Sequence, residues 1–211
     1  MSKSLVVLGA GGHAKVVIST ARALGYSVQA VYDDNPAKWG TSLLEVPIHG
    51  SLQHAEQPAE LASWAFIAIG DNQARKQIAT QFQQLVWATL IHPHTWVDAS
   101  VQVGEGTLLC AGVVVQADAR IGRHCVINTS ASVDHDCEIA DFVHIAPGAR
   151  LAGGVQVGEG ALLGIGCTVL PNCKVGAWSI VGAGAVVTRD VPDGVVVVGV
   201  PARIIRRVHD D

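Results

Sequence analysis

The sequence predicts two structural units in series: a small α/β domain built on a Rossmann-like parallel sheet, and behind it an all-β parallel helix. Two observations carry that prediction. Over residues 1–90 short apolar runs alternate with helical stretches and glycine turns, the pattern of strands and helices alternating in a parallel sheet. From Val97 to Val187 a Val, Ile or Leu then occupies every sixth position without an insertion.

The first half reads in order as follows. Leu5–Leu8 is a buried strand, followed by the turn Gly9-Ala10-Gly11-Gly12-His13-Ala14 and a helix to Leu24. Val28–Tyr32 is a second strand, closing on Asp33-Asp34. A helix is expected over 51–62, a strand from Trp64 to Ile69 stopped by Gly70, a helix from Ala74 to Gln84 and a last strand from Val86 to Ile91. The glycine turn opens a helix N-terminus, whose free N–H groups favour phosphate. With Asp33 about twenty residues on, it partly satisfies the dinucleotide fingerprint. The sheet is too small for a full two-halved dinucleotide fold. The boundary falls at His92-Pro93, giving units 1–91 and 92–211.

The second half is a repeat. Its sixteen aliphatic positions run Val97, Val103, Leu109, Val115, Ile121, Ile127, Val133, Ile139, Ile145, Leu151, Val157, Leu163, Val169, Val175, Val181 and Val187. Chance produces such a run about once in 10^8 trials. Four residues behind each stands a small side chain, from Val101 and Thr107 to Ala185 and Val191. A six-residue period fits neither a helix nor a flat amphipathic strand. It fits short strands joined by tight turns, each aliphatic side chain pointing into a narrow prism whose coils bond to one another about 4.8 Å apart. Cys125, Cys137, Cys167 and Cys173 fall on the small positions and read as buried apolar groups.

Composition excludes several classes. With 49% hydrophobic residues and 15% charged ones the chain is too apolar for disorder. A net charge of -4 gives no electrostatic reason to expect nucleic acid or an anionic membrane. Arg203, Arg206 and Arg207 form the one basic cluster and read as a solvated end. No signal-peptide h-region follows Met1, and no apolar run reaches the roughly 18 residues of a membrane span. Together with an odd count of five cysteines and no CxxC pair, this makes the cytoplasm the expected compartment.

The six-residue motif resembles the hexapeptide repeat of left-handed β-helix acyltransferases, in which three hexapeptides make one eighteen-residue triangular coil. Residues 97–192 would form a little over five coils, and the left hand is implied by the resemblance alone. Taken with Val7-Leu8-Gly9-Ala10-Gly11-Gly12-His13, Asp33-Asp34, Ala68-Ile69-Gly70-Asp71-Asn72, the segment from Asn128 to Ile139 and the ending Val198-Gly199-Val200-Pro201-Ala202-Arg203, the repeat resembles the bacterial sialic acid O-acetyltransferase and UDP-bacillosamine/GDP-perosamine N-acetyltransferase family. The resemblance implies acetylation of a UDP- or GDP-linked 4-amino-4,6-dideoxy sugar with acetyl-CoA as cosubstrate and no metal.

Residue by residue, it makes His135 the general base, a role suited to imidazole because its pKa lies near working pH. Asp136 is the matching partner; relatives often carry glutamate there, and Asp134 stays open as the alternative. His144, Gly153, Ile165 and Ala183 match acetyl-CoA contacts, and a backbone N–H near Gly153 would face the oxyanion. Gly11, Gly12, His13, Asp33, Asp34 and Gly70 match positions that hold the nucleotide-sugar. His144 lies nine residues beyond His135, half a coil away on another side of the prism. The two can share a site only if another subunit supplies one of them, so an oligomer with intersubunit sites is expected, and the resemblance implies a homotrimer. His49, His54, His92, His94, His124 and His209 show no ligand spacing. Three rival readings stay open: O-acetylation of sialic acid, a zinc lyase of the γ-carbonic anhydrase type, and a non-catalytic scaffold or NAD-binding module.

Overall fold

A computed structural model describes residues 3–56 and 64–208 and divides the chain into two compact units, Met1–Pro93 and His94–Asp211. In the first unit, strands β1 (Lys3–Leu8), β2 (Tyr26–Tyr32), β3 (Ser42–Leu43), β4 (Val46–Gly50) and β5 (Trp64–Ile67) form one sheet in the order β3-β4-β2-β1-β5. All pairings are parallel except the β3–β4 hairpin. Helices α1 (Gly12–Ala23) and α2 (Asn72–Gln81) complete the unit. Leu5, Val6, Val7 and Leu8 are fully buried, as an interior parallel strand requires.

Several boundaries differ from the sequence reading. Of the helix expected over 51–62, residues Leu52–Glu56 form a short 3₁₀ turn, and 57–62 lie outside the described residues. The stretch from Val86 to Ile91 is extended only at β6 (Leu90–Ile91), with a single bridge from Trp87 to Ala65. Strands β3 and β4 had no counterpart in the reading. Pro47 interrupts the apolar run there, and the hairpin turns through Leu44 and Glu45, both with positive φ, an uncommon turn for such residues.

In the second unit sixteen two-residue strands recur every six residues and form three parallel sheets. Face 1 carries β7 (Trp96–Val97), β10 (Val114–Val115), β13 (Ser132–Val133), β16 (Arg150–Leu151), β19 (Thr168–Val169) and β22 (Val186–Val187). Face 2 carries β8 (Gln102–Val103), β11 (Arg120–Ile121), β14 (Glu138–Ile139), β17 (Gln156–Val157) and β20 (Lys174–Val175). Face 3 carries β9 (Leu108–Leu109), β12 (Val126–Ile127), β15 (His144–Ile145), β18 (Leu162–Leu163) and β21 (Ile180–Val181). Partners in register are eighteen residues apart, as in Val115 with Val133 and Val133 with Leu151, so one coil is three hexapeptides of a parallel β-helix.

The repeat explains its own core. From Leu109 to Val187 every aliphatic member of the series is at most 3% exposed, and burying each contributes about 1.5–3 kcal/mol relative to leaving it in water. The polar members of the small series are bonded: Thr107 Oγ1 donates to Gly122 O at 2.8 Å and Ser179 Oγ to Pro192 O at 2.7 Å, as buried hydroxyls need. All five cysteines are buried and none is in a disulfide. Burial pushes the Cys110 and Cys167 thiols up to about 12, which leaves them unreactive at neutral pH. The third residue after most aliphatic positions turns the corner with positive φ, Asp118, Asp136, Gly154 and Asn172 among them.

The C-terminus is more ordered than a solvated end. β23 (Val195–Val198) continues face 3 beside β21, and β24 (Arg203–Arg207) returns antiparallel to it. The arginine cluster therefore sits on a strand, exposed along its length.

Candidate active site

In the β-helix the site residues fall on edges and one face. His135 lies in the turn between β13 and β14, on the edge where faces 1 and 2 meet. Its side chain is 62% exposed, so packing does not hold it. Hydrogen bonds do. His135 Nδ1–H donates to Asp136 Oδ2 at 2.7 Å, and the His135 backbone N–H donates to Asp134 Oδ1 at 2.9 Å. The ring partner is thus Asp136, and Asp134 fixes the backbone of the turn. Asp136 adopts the left-handed corner conformation, φ 58°, which a short polar side chain tolerates. The Asp136 hydrogen bond above all raises the His135 pKa above the usual 6.5; desolvation opposes it, and the charges of Asp134 and Asp136 add to the rise.

Gly153, one coil below His135, lies against the ring. A Cβ built there would stand 2.5 Å from His135 Cε1 and 2.6 Å from Nε2. Only glycine leaves the imidazole its place, and the nitrogen near Gly153 is the one not bonded to Asp136. Gly153 O accepts from Asn172 N, whereas its N–H bonds to nothing among the described residues. A polar depression of about 270 Å³ takes Asp136 into its lining, with Ser100, Gln102, Asp118, Arg120 and Glu138. A groove of about 820 Å³ along face 2, from Arg120 to Asp193, contains none of the expected site residues.

The remaining expected contacts lie elsewhere on the prism. His144 opens β15 on face 3, where Asn128 Nδ2–H donates to its Nε2 at 3.2 Å. Ile165, 61% exposed, and Ala183, one coil further, share the edge between faces 3 and 1. One chain therefore brings His135, Asp136 and Gly153 together, and keeps His144, Ile165 and Ala183 apart from them.

In the first unit the expected substrate residues gather at the C-terminal ends of β1, β2 and β5. Gly11 caps α1 without a side-chain bond, and a Cβ on Gly11, Gly12 or Gly70 would meet nothing within 4 Å, so bare backbone faces open space. Gly9 has φ 104°, and a Cβ there would approach Ile69 Cγ1 to 2.7 Å. This close approach joins the glycine turn to the turn after β5. Asp33 Oδ2 accepts from Ala10 N at 2.7 Å and Lys38 Nζ at 2.9 Å, and Oδ1 accepts from Asn35 N. Burial alone would raise its pKa, but the Lys38 bond and the two backbone N–H groups outweigh it and hold Asp33 below the usual range. Asp34 Oδ1 accepts from Leu52 N at 2.9 Å. Burial first and the Arg75 charge second lower His13 to about 4, so its ring is neutral at pH 7.

Lys38 and Arg75 escaped the sequence reading. Arg75 left one signal: Asn72, Arg75 and Ile78 are the buried residues of α2, three apart on one helical stripe. Among the described residues no group of three His, Cys, Asp or Glu side chains converges as a metal site, and His209 lies outside them.

A hexapeptide β-helix with an exposed His–carboxylate pair on its edge is the frame of an acyltransferase. Residues 4–82 match the PglD N-terminal domain and residues 154–189 the bacterial transferase hexapeptide of six repeats. The chain belongs to the hexapeptide-repeat sugar acetyltransferases that carry this N-terminal domain. It is similar to GDP-perosamine N-acetyltransferase of Escherichia coli, 34% identical over 67% of this chain and 67% of the relative. A histidine mutant of perosamine N-acetyltransferase from Caulobacter crescentus, solved with CoA and GDP-perosamine, superposes with TM-score 0.92 at 43% identity over 96% of each chain. The acetyltransferase domain of PglB from Neisseria gonorrhoeae, solved with acetyl coenzyme A, gives 0.90 at 36% identity, covering 97% of this chain and all of that one. The chain spans 25% of an uncharacterized mimivirus protein that it also matches. No helix among the described residues is long and apolar enough to cross a membrane.

Proposed function

We propose that the protein transfers an acetyl group from acetyl-CoA to the 4-amino group of a nucleotide-linked 4-amino-4,6-dideoxy sugar. The observation that carries this reading is the His135–Asp136 pair with its second ring nitrogen beside Gly153. Nδ1–H is committed to Asp136, so the neutral ring keeps its lone pair on Nε2. That nitrogen takes a proton from the sugar amine as the amine attacks the thioester carbonyl. The Gly153 N–H, unbonded among the described residues, is the donor to the tetrahedral oxyanion. Collapse breaks the carbon–sulfur bond, and the imidazolium returns its proton to the CoA sulfur. Asp136 stabilises that imidazolium and keeps the ring in one tautomer.

The relatives solved with CoA and GDP-perosamine, or with acetyl coenzyme A, support both ligand classes. The GDP-perosamine complex favours GDP as the nucleotide. In this reading Gly11, Gly12, His13, Asp33, Asp34 and Gly70 hold the nucleotide-sugar, and His144, Gly153, Ile165 and Ala183 hold acetyl-CoA. The site forms in a homotrimer, in the cytoplasm: the His135 edge of one copy meets the Ile165–Ala183 edge of the next. Both edges border face 1, so that face turns toward the neighbouring copies.

The test is a panel of acceptors incubated with acetyl-CoA: GDP- and UDP-linked 4-amino-4,6-dideoxy sugars and free sialic acid. Release of CoA thiol and N-acetyl product with a GDP-linked amino sugar is expected. Turnover of sialic acid alone would replace the reading by O-acetylation.

A further inference from the structure

We propose that Arg75 is a positioning residue of the nucleotide-sugar pocket: its guanidinium fixes the turn at Ile69–Gly70 and lends a buried positive charge to the mouth that receives the substrate's phosphates. The proposal rests on the nucleotide-sugar reading above and goes beyond it in assigning a residue that never reaches the substrate.

Arg75 is 1% exposed, among the largest fully buried side chains of the protein. Its Nη1 donates to Ile69 O at 3.0 Å and Gly70 O at 3.3 Å, and its Nη2 donates to Asn72 Oδ1 at 2.8 Å. One planar fork therefore ties the turn after β5 to the first residue of α2, whose N-cap Asp71 accepts from Ala74 N. A lysine ammonium has no such fork. Stability alone does not call for it. Burying a cation costs several kcal/mol, and well-packed apolar residues in place of buried charges are often neutral or better.

The turn that Arg75 holds is the one that meets the glycine turn. Ile69 packs against Gly9 at a distance no side chain on Gly9 would allow, while Gly11, Gly12 and Gly70 leave their outer surface open. Arg75 thus stands behind two backbone-lined loops, where a diphosphate would bring negative charge onto the N-terminus of α1. Its field reaches that mouth, because the Arg75 charge is one of the two causes that depress the pKa of His13, the second residue of α1. In a poorly solvated site such a charge acts over several ångströms more strongly than at a surface.

Arg75→Met and Arg75→Lys separate fixing from mere packing. In the full-length enzyme Arg75→Met is expected to raise the KM for the GDP-linked amino sugar at least about tenfold, with kcat and the KM for acetyl-CoA changed less than about twofold, because the chemistry resides in the β-helix. Arg75→Lys restores the charge without the fork and recovers part of the KM. A second readout needs no substrate: the His13 pKa, followed by NMR in the ligand-free protein, moves up from about 4 in Arg75→Met and stays down in Arg75→Lys. It remains below 6.5 in both, since burial is the larger cause. If Arg75→Met does not fold, Arg75→Lys decides by a raised sugar KM at unchanged kcat. A parallel loss of kcat and of acetyl-CoA affinity, or an unchanged sugar KM, would overturn the proposal. A wild-type enzyme inert toward every nucleotide sugar would count against the function instead, and an unmoved His13 would then still count against Arg75.

Discussion

Replacing His135 by alanine is expected to lower kcat by about 10²–10⁴-fold, the usual contribution of a positioned general base, and to leave acetyl-CoA affinity within about twofold. The side chain is 62% exposed and, among the described residues, bonded only through its ring to Asp136, so its removal opens no cavity and the coil should keep its stability. The pH profile gives the same chemistry a sign. The base works deprotonated, and its pKa is raised mainly by the Asp136 hydrogen bond. kcat/KM should therefore climb with pH through an inflection above 6.5. Asp136→Asn removes the carboxylate, so the inflection moves to lower pH while the maximal rate falls. Steady-state kinetics across pH, with calorimetric binding of acetyl-CoA, checks both. Equal loss of turnover and binding in His135→Ala would make the residue structural.

Gly153→Ala is expected to cost about 10²-fold in kcat, the scale of a 1 Å misplacement of a reacting group. The new Cβ would stand 2.5 Å from Cε1 and 2.6 Å from Nε2 of His135, and one of the two must move. The imidazole is the mobile partner, held from one side by one bond to Asp136, whereas Gly153 is bonded into the coil through Asn172 N and its neighbour Gly154 N is bonded to His135 O. The ring swings and loses its geometry, and the helix stays. Gly153 has an ordinary φ, so alanine adds no backbone strain and the melting temperature should move by only a few degrees. An enzyme within about twofold of wild type would mean that the ring position beside Gly153 has no part in catalysis.

Much of this arrangement was legible in the residues because a prism with one inward position per hexapeptide writes its own period. Leu109, Ile127, Ile145, Leu163 and Val181 point into the same interior and are all 0% exposed, so the series from Val97 to Val187 reads as coils without any knowledge of contacts. The same period fixes where each site residue falls: His135 and Gly153 differ by one coil and share an edge, whereas nine residues put His144 on the opposite face.

The first unit was less legible. Its elements meet through tertiary contacts with no fixed period, which is why β3 and β4 went unread around Pro47, and why Val86–Ile91 shrank to two residues. Arg75 was hidden for a related reason. An arginine near the start of a helix is common on surfaces, and only the burial of Asn72 and Ile78 on the same stripe shows it facing inward. The choice between Asp134 and Asp136 was open for the opposite cause. Both flank His135 in sequence, and the left-handed φ at Asp136 goes with the bond from its carboxylate to the ring.

What the whole account depends on is a reaction centre assembled from opposite edges of two copies, tested by mixing two disabled chains. His135→Ala removes the base from one edge, and Ile165→Glu places a charge where the pantetheine arm would run along the other; each alone should be inactive. Trimers reassembled from equal amounts of the two should recover about a quarter of wild-type activity, because about one groove in four then combines an intact His135 edge with an intact Ile165 edge. A mixture that assembles fully and stays as inactive as its components would contradict the account.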